Sequence, residues 1–272
     1  MNLGLKGRVA LITGSSDGIG AEIAWRLFLE GADVIIHGKN PEKVKKMCQK
    51  IMETSTESHK DRIYEFVADV TKPEQINRFF ETKMPQIGHL DILVNNLGGV
   101  SGIKKFEEIS DEEWYDMFTF NLMTPVRFTR LALPYLKKSD QARIINLGNA
   151  SSFQPGVNNP HYNVAKTGLI NLSKHLSDNL AQYNILVNTV CPNTIMGGAW
   201  ARDVENISSN TGLSLKEAAQ QLEDSVKKKV PLNRVGTMEE VANMVVFLAS
   251  GSASFINGEC IFIDGGTKRS IF

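Results

Sequence analysis

Cysteine is scarce in this chain. There are three in 272 residues, Cys48, Cys191 and Cys260, an odd number with no Cys-x-x-Cys pair. That excludes a disulfide framework and points to reduced thiols. Cys191 closes a strand-like apolar run and reads as buried packing. No apolar run approaches the ~20 residues of a membrane helix. Met1 to Gly7 has no signal-peptide core, and Arg8 to Ile12 is too short to be one. Neither sign of charge prevails: 30 basic residues cancel 30 acidic ones. The basic patch of a nucleic-acid binder is therefore not expected. No repeat, low-complexity tract or linker interrupts the chain, and no metal site is expected. These absences leave a cytoplasmic protein with small-molecule partners, bound to neither membrane nor nucleic acid. What is present fits: 42% hydrophobic and 22% charged residues are ordinary for a globular chain of this length. Such a chain builds a core without staples.

Strand-like and helix-like segments alternate throughout. Arg8–Thr13, Asp33–His37, Arg62–Ala68, Leu90–Asn95, Arg143–Leu147, Ile185–Val190 and Cys260–Ile263 are short apolar or β-branched runs. Helical spacing falls between them, as in Ile19, Ile23 and Leu27, with a helix from Pro41 to Glu53 and another opening at Pro73. Glu112–Leu136 reads as a long helix broken at Pro125. Tyr162–Ala181 reads as one with Leu169, Leu172, Leu176 and Leu180 buried, and Glu239–Ser250 as the last. This alternation predicts an α/β fold: a doubly wound parallel sheet, Rossmann-like, of about seven strands with helices on both faces. We expect one domain over 1–272. Its polar insertion, 193–229, is either a substrate lid or a structural helical excursion.

Two motifs carry chemistry. Gly14, Gly18 and Gly20, with Ser16, Asp17 and Ile19 among them, form a glycine-rich turn between the first strand and first helix. Such a turn lets backbone N–H groups and a helix N-terminus meet a pyrophosphate. The end of the second strand carries Lys39 and no carboxylate. That favours NADP(H) over NAD(H), which stays open because Asp17 brings a negative charge to the same region. The second motif is Tyr162-Asn163-Val164-Ala165-Lys166. Residues four apart share a helix face, so the ammonium is expected beside the phenol, lowering its pKa from ~10 toward use as an acid or base.

On these residues the chain resembles the short-chain dehydrogenases/reductases, in the branch of the 3-oxoacyl-carrier-protein reductases, over essentially its whole length. Further matches are Ala68-Asp69-Val70, Asn95-Asn96-Leu97-Gly98, Asn121, Arg143–Leu147, Pro231–Gly236 and Ile263–Gly266. The resemblance implies that Tyr162 exchanges the proton and that Lys166 tunes it and holds the nicotinamide ribose. It implies that Asn121 anchors a relay water. It places Asp69, Val70, Asn95, Gly98, Pro192 and Ile195 at the cofactor. It also implies a homotetramer or homodimer, built through the helices of Asn121 and Tyr162 and the C-terminal strand, with Ile271-Phe272 in a subunit contact.

The family's carbonyl-orienting serine is absent. Its place falls on Asn149, whose amide is also a donor, and Ser151 is the nearby hydroxyl that could substitute. Asn193 replaces a usual glycine and Gly197 a usual threonine. His161 and Trp200 are either pocket residues or packing. The reading that follows is an oxidoreductase interconverting a carbonyl and a secondary alcohol. The alternative, resting on Asn149, Asn193 and Gly197, is a cofactor-binding sensor or assembly partner of the same fold with little or no activity. An epimerase or dehydratase using the same Tyr–Lys pair is a third.

Overall fold

The structure, a computed structural model, describes residues 2–54, 61–100 and 102–271. The chain runs β1 (Val9–Ile12), α1 (Gly18–Leu29), β2 (Asp33–Gly38), α2 (Pro41–Glu53), β3 (Ile63–Val67), α3 (Pro73–Thr82), α4 (Met84–Ile87) and β4 (Ile92–Asn95). It continues α5 (Asp111–Phe118), α6 (Thr124–Leu136), β5 (Arg143–Leu147), α7 (Pro160–Leu180), β6 (Leu186–Pro192), β7 (Ile195–Met196), α8 (Gly198–Thr211) and α9 (Leu215–Lys227). It ends β8 (Gly236–Thr237), α10 (Met238–Ala249) and β9 (Cys260–Ile263).

Seven strands pair in parallel in the order β3-β2-β1-β4-β5-β6-β9. The predicted doubly wound sheet is therefore present. β1 and β4 are buried at every position, which is why they read as unbroken apolar runs. Along β1, Ala10 and Ile12 face the layer of α1, α2 and α10. Val9 and Leu11 face the layer of α3 and α6. Local chemistry sets the helix starts. Asp17 caps α1, Asn40 and Pro41 open α2, and a Thr237–Glu240 capping box opens α10. The chain leaves β1 toward β2 and β3, then returns to β4 on the other side. That reversal opens a crevice beyond the carboxyl ends of β1 and β4.

Two expectations change. The helix predicted over 112–136 is not broken at Pro125, which stands in the first turn of α6, where its missing N–H costs little. The interruption is a π turn, Thr119–Met123, with the buried Asn121 inside it. The buried stripe of α7 is Lys166, Leu169, Ser173, Ser177 and Leu180, while Leu172 and Leu176 flank it half-buried. Ser173 and Ser177 can be buried because each hydroxyl bonds a carbonyl of its own helix. The 193–229 insertion forms β7, α8 and α9, and β7 pairs with β8 at its base. No helix among the described residues is long and apolar enough to cross a membrane.

Candidate active site

The glycine turn is shaped by two left-handed glycines, Gly14 (φ 66°) and Gly18 (φ 61°). Gly20 answers a different need. A Cβ there would lie 2.4 Å from the Gly14 carbonyl oxygen and 2.5 Å from Asn96 Nδ2. The helix start is pressed against the loop, leaving a cradle that any side chain would fill. Beneath it, the Ser15 N–H donates to the His37 carbonyl (2.8 Å) and Ser15 Oγ accepts the His37 N–H (2.9 Å). His37 Nδ1 accepts the Gly14 N–H at 2.9 Å. The His37 ring is fully buried beside Phe66 and Phe128, and burial pushes its pKa down to about 4. It is therefore neutral, with its proton on Nε2, and its Nδ1 lone pair fixes the loop.

Asp17 accepts the Gly18 N–H at the head of α1 and pairs with Lys43 Nζ at 3.1 Å. That pairing holds its carboxyl below the usual range, so the charge that weighed against NADP(H) is balanced. Lys39 is exposed at the end of β2 and helps hold Asp69 ionised. Lys43, Ser15 and His37 were missed by sequence reasoning; the signal for Lys43 was its place one turn into α2. The cradle, the α1 N-terminus and the two lysines fit a phosphorylated dinucleotide.

The residues expected to move the proton lie beyond β4 and β5. Lys166 is buried, and its Nζ donates to the Leu147 carbonyl at 2.7 Å. Asn121 Oδ1 accepts the Gly99 N–H (2.8 Å), and its Nδ2 donates back to the Gly99 carbonyl (3.0 Å). Gly98 lies between them: a Cβ would sit 2.7 Å from Lys166 Nζ and 2.8 Å from Asn121 Oδ1. Burial lowers the Lys166 pKa to about 8 and raises that of the Tyr162 phenol to about 12. This corrects the expectation that the lysine depresses the phenol. The four-residue spacing does bring the two onto one face, but the ammonium is spent on a carbonyl, and desolvation dominates both groups.

The group that pulls the phenol down is Asn149, through a side-chain hydrogen bond. Asn149 Oδ1 accepts the Ser151 backbone N–H (2.8 Å) and lies 2.7 Å from Ser151 Oγ. Since a backbone N–H only donates, the amide orientation is fixed and Nδ2 is the end presented to Tyr162. The Ser151 hydroxyl also lies 2.6 Å from Asn163 Oδ1.

The remaining expected residues scatter. The Asn95 side chain is buried inside the sheet, donating to Asn146 (2.7 Å) and Thr129 (3.2 Å), so it does not reach the cofactor face. Its neighbour Asn96 donates to the Thr13 carbonyl at 2.8 Å, against the glycine turn. Val70 is core, and Asp69 is turned onto Thr71. Ser16 packs against Gly38, Ile19 and Ile195 lean on the core, and Pro192 is buried at the end of β6. His161 is buried edge-on to Trp114, with ring centroids 5.8 Å apart. Trp200 is half-buried in α8. Cys191 is buried as expected and keeps its proton, its sulfur 3.1 Å from that of Cys260. Of the two proposed contact residues at the C-terminus, Ile271 is exposed and Phe272 lies outside the described residues. Among the described residues no group of metal ligands is found.

Comparison with known proteins defines the class. Residues 14–268 match the family described as enoyl-(acyl carrier protein) reductase. The chain belongs to this family and is an oxidoreductase of the short-chain dehydrogenase/reductase type. It is similar to YvrD of Bacillus subtilis, named as an uncharacterized oxidoreductase, at 35% identity over 100% of both chains. It is also similar to the 3-oxoacyl-[acyl-carrier-protein] reductase FabG of Aquifex aeolicus, at 33% identity over 98% of this chain and 99% of that one. Among solved structures, L-sorbose reductase from Gluconobacter frateurii, complexed with NADPH and L-sorbose, superposes with a TM-score of 0.92 at 30% identity, over 100% of both chains.

Proposed function

We propose that the protein is an NADP(H)-dependent reductase of small carbonyl compounds, working reversibly on the corresponding secondary alcohols, with NAD(H) as the weaker cofactor. The observation that carries this reading is the convergence of Tyr162, Asn149 and Lys166 beside the glycine cradle at one end of the sheet. Lys39, just past the end of β2, and Lys43, in the first turn of α2, match a 2′-phosphate, and the L-sorbose reductase it resembles is described with NADPH.

A bound nicotinamide would supply or take the hydride. The chain's own residues do the rest. Tyr162 donates its phenolic proton to the carbonyl oxygen, or takes it back from the alcohol. Asn149 Nδ2 has two protons, one for the phenol oxygen and one for the substrate oxygen. Lys166, held by Leu147, carries positive charge into a dry site. Asn121 fixes the Gly98–Gly99 turn that lets Lys166 approach.

The test is NADPH oxidation with a panel of keto sugars, simple ketones and 3-oxoacyl thioesters. Turnover with at least one is expected. Tyr162→Phe should lower it by about 10²–10⁴-fold, the usual worth of a positioned proton donor, with NADPH affinity nearly unchanged. NADPH binding with no turnover across the panel would favour the second reading, a cofactor-binding protein with little activity. That reading draws on the Tyr162 phenol standing at about 12.

A further inference from the structure

Ser151 lies in the 3₁₀ turn Ala150–Ser152, capped by the Asn149 side chain. Its backbone N–H and its hydroxyl both face Asn149 Oδ1, at 2.8 and 2.7 Å. On its other side the hydroxyl meets Asn163 Oδ1 at 2.6 Å. Asn163 is buried, follows Tyr162 on α7, and sends its own Nδ2 to the Asn158 carbonyl at 3.3 Å. The hydroxyl carries one proton for these two acceptor oxygens, so it bonds one of them at a time.

An asparagine in a serine's place brings a problem that serine does not have. A hydroxyl is both donor and acceptor and rotates to suit. An amide has a donor end and an acceptor end, and the wrong end toward the reacting oxygens would repel them. We infer that Ser151 is a positioning residue: its hydroxyl proton, given to Asn149 Oδ1 beside the Ser151 backbone N–H, locks the amide with its Nδ2 toward Tyr162 and the substrate oxygen. This rests on the reductase reading above. It adds that the family's single hydroxyl donor has been replaced by a two-residue device, an amide and its clamp.

A double-mutant cycle tests it. Ser151→Val removes the hydroxyl, and Ser151→Thr keeps it with nearly the same shape. In the parent chain Ser151→Val should lower kcat about fivefold, the worth of one hydrogen bond. It should leave KM for NADPH unchanged, and Ser151→Thr should retain most of the rate. In an Asn149→Ser background the donor is a hydroxyl that needs no clamp, so Ser151→Val should then cost little. A merely structural serine would cost the same in both backgrounds, and equal losses overturn the inference. The second readout needs no turnover. Phenol ionisation of Tyr162 is measured by ultraviolet titration as the difference from a Tyr162→Phe chain. Ser151→Val should raise that pKa in the direction Asn149→Ala does, and should add nothing once Asn149 is alanine. No shift would overturn the inference even if the reductase reading stands. A shift without turnover would sustain the clamp and sink the reductase.

Discussion

Lys166 holds its ammonium in a buried site. Its ordinary pKa of 10.5 falls to about 8, so at neutral pH the folded chain keeps a buried ammonium that the unfolded chain solvates freely. The sign follows from the depressed folded value. The cost is fully present below pH 8 and disappears as pH rises to 10.5, where neither state binds the proton. Its size is about 3 kcal/mol at pH 7. Relative to Lys166→Met, the cofactor-free parent should therefore gain stability as pH rises from 8 to 10, seen as a narrowing or reversal of the difference in Tm. A constant difference across that range would mean the lysine is not desolvated. The cofactor end offers a second prediction. Lys39→Ala should weaken NADPH binding about tenfold, as the loss of a charge-assisted contact does, and leave NADH binding unchanged by fluorescence titration. At this scale the sequence was informative about identity and silent about direction. It marked Tyr162, Lys166, Asn121 and Asn149. It could not show that the ammonium bonds Leu147, that Asn95 turns into the sheet, or that Lys43 neutralises Asp17, because each depends on a partner remote in sequence.

The elements were legible from their periods, since buried parallel strands and amphipathic helices write different patterns. The π turn was not. One extra residue within a helical turn leaves the apolar spacing almost intact, yet it turns Asn121 inward, where both ends of its amide meet Gly99. Gly98 depends on that arrangement. Gly98→Ala would place a methyl within 3 Å of both Lys166 Nζ and Asn121 Oδ1. It should lower stability by about 1–3 kcal/mol and cost far more in turnover than in Tm, because the clash falls on the two residues proposed to serve catalysis. The glycine turn has a pH limit of its own. His37 holds Gly14 only while neutral, and its folded pKa of about 4 lies below the ordinary 6.5. Its contribution is complete above pH 6.5 and is lost as pH falls toward 4. Acid unfolding followed by circular dichroism should therefore be shallower between those values in His37→Leu. That variant is also less stable at pH 7, where the Gly14 N–H loses its acceptor.

Across the whole molecule the two ends of the sheet do different work. At the carboxyl ends are the glycine cradle, Tyr162 and Lys166. At the amino ends is a charged knot around the buried Asp91, which accepts the Val9 N–H (2.8 Å), Arg8 (3.0 Å) and Ser139 Oγ (2.5 Å). Asp91→Asn should lower Tm measurably, because it sets an amide N–H against donors, and should leave kcat and KM near parental values. The doubly wound order was legible because strands alternated with helices. The arrangement of 193–229 was not, since a two-strand ladder of two residues each leaves no pattern to read. The strand order also has a consequence for synthesis. β1 lies inside the sheet, whereas β9 pairs with β6 only after some seventy intervening residues. Until residues 260–263 leave the ribosome, the apolar β6 presents an open row of backbone donors and acceptors, the kind of edge that recruits other chains. A ribosome that stalls between β6 and β9 would therefore release an adhesive product, and β9 acts as the seal on a nascent chain.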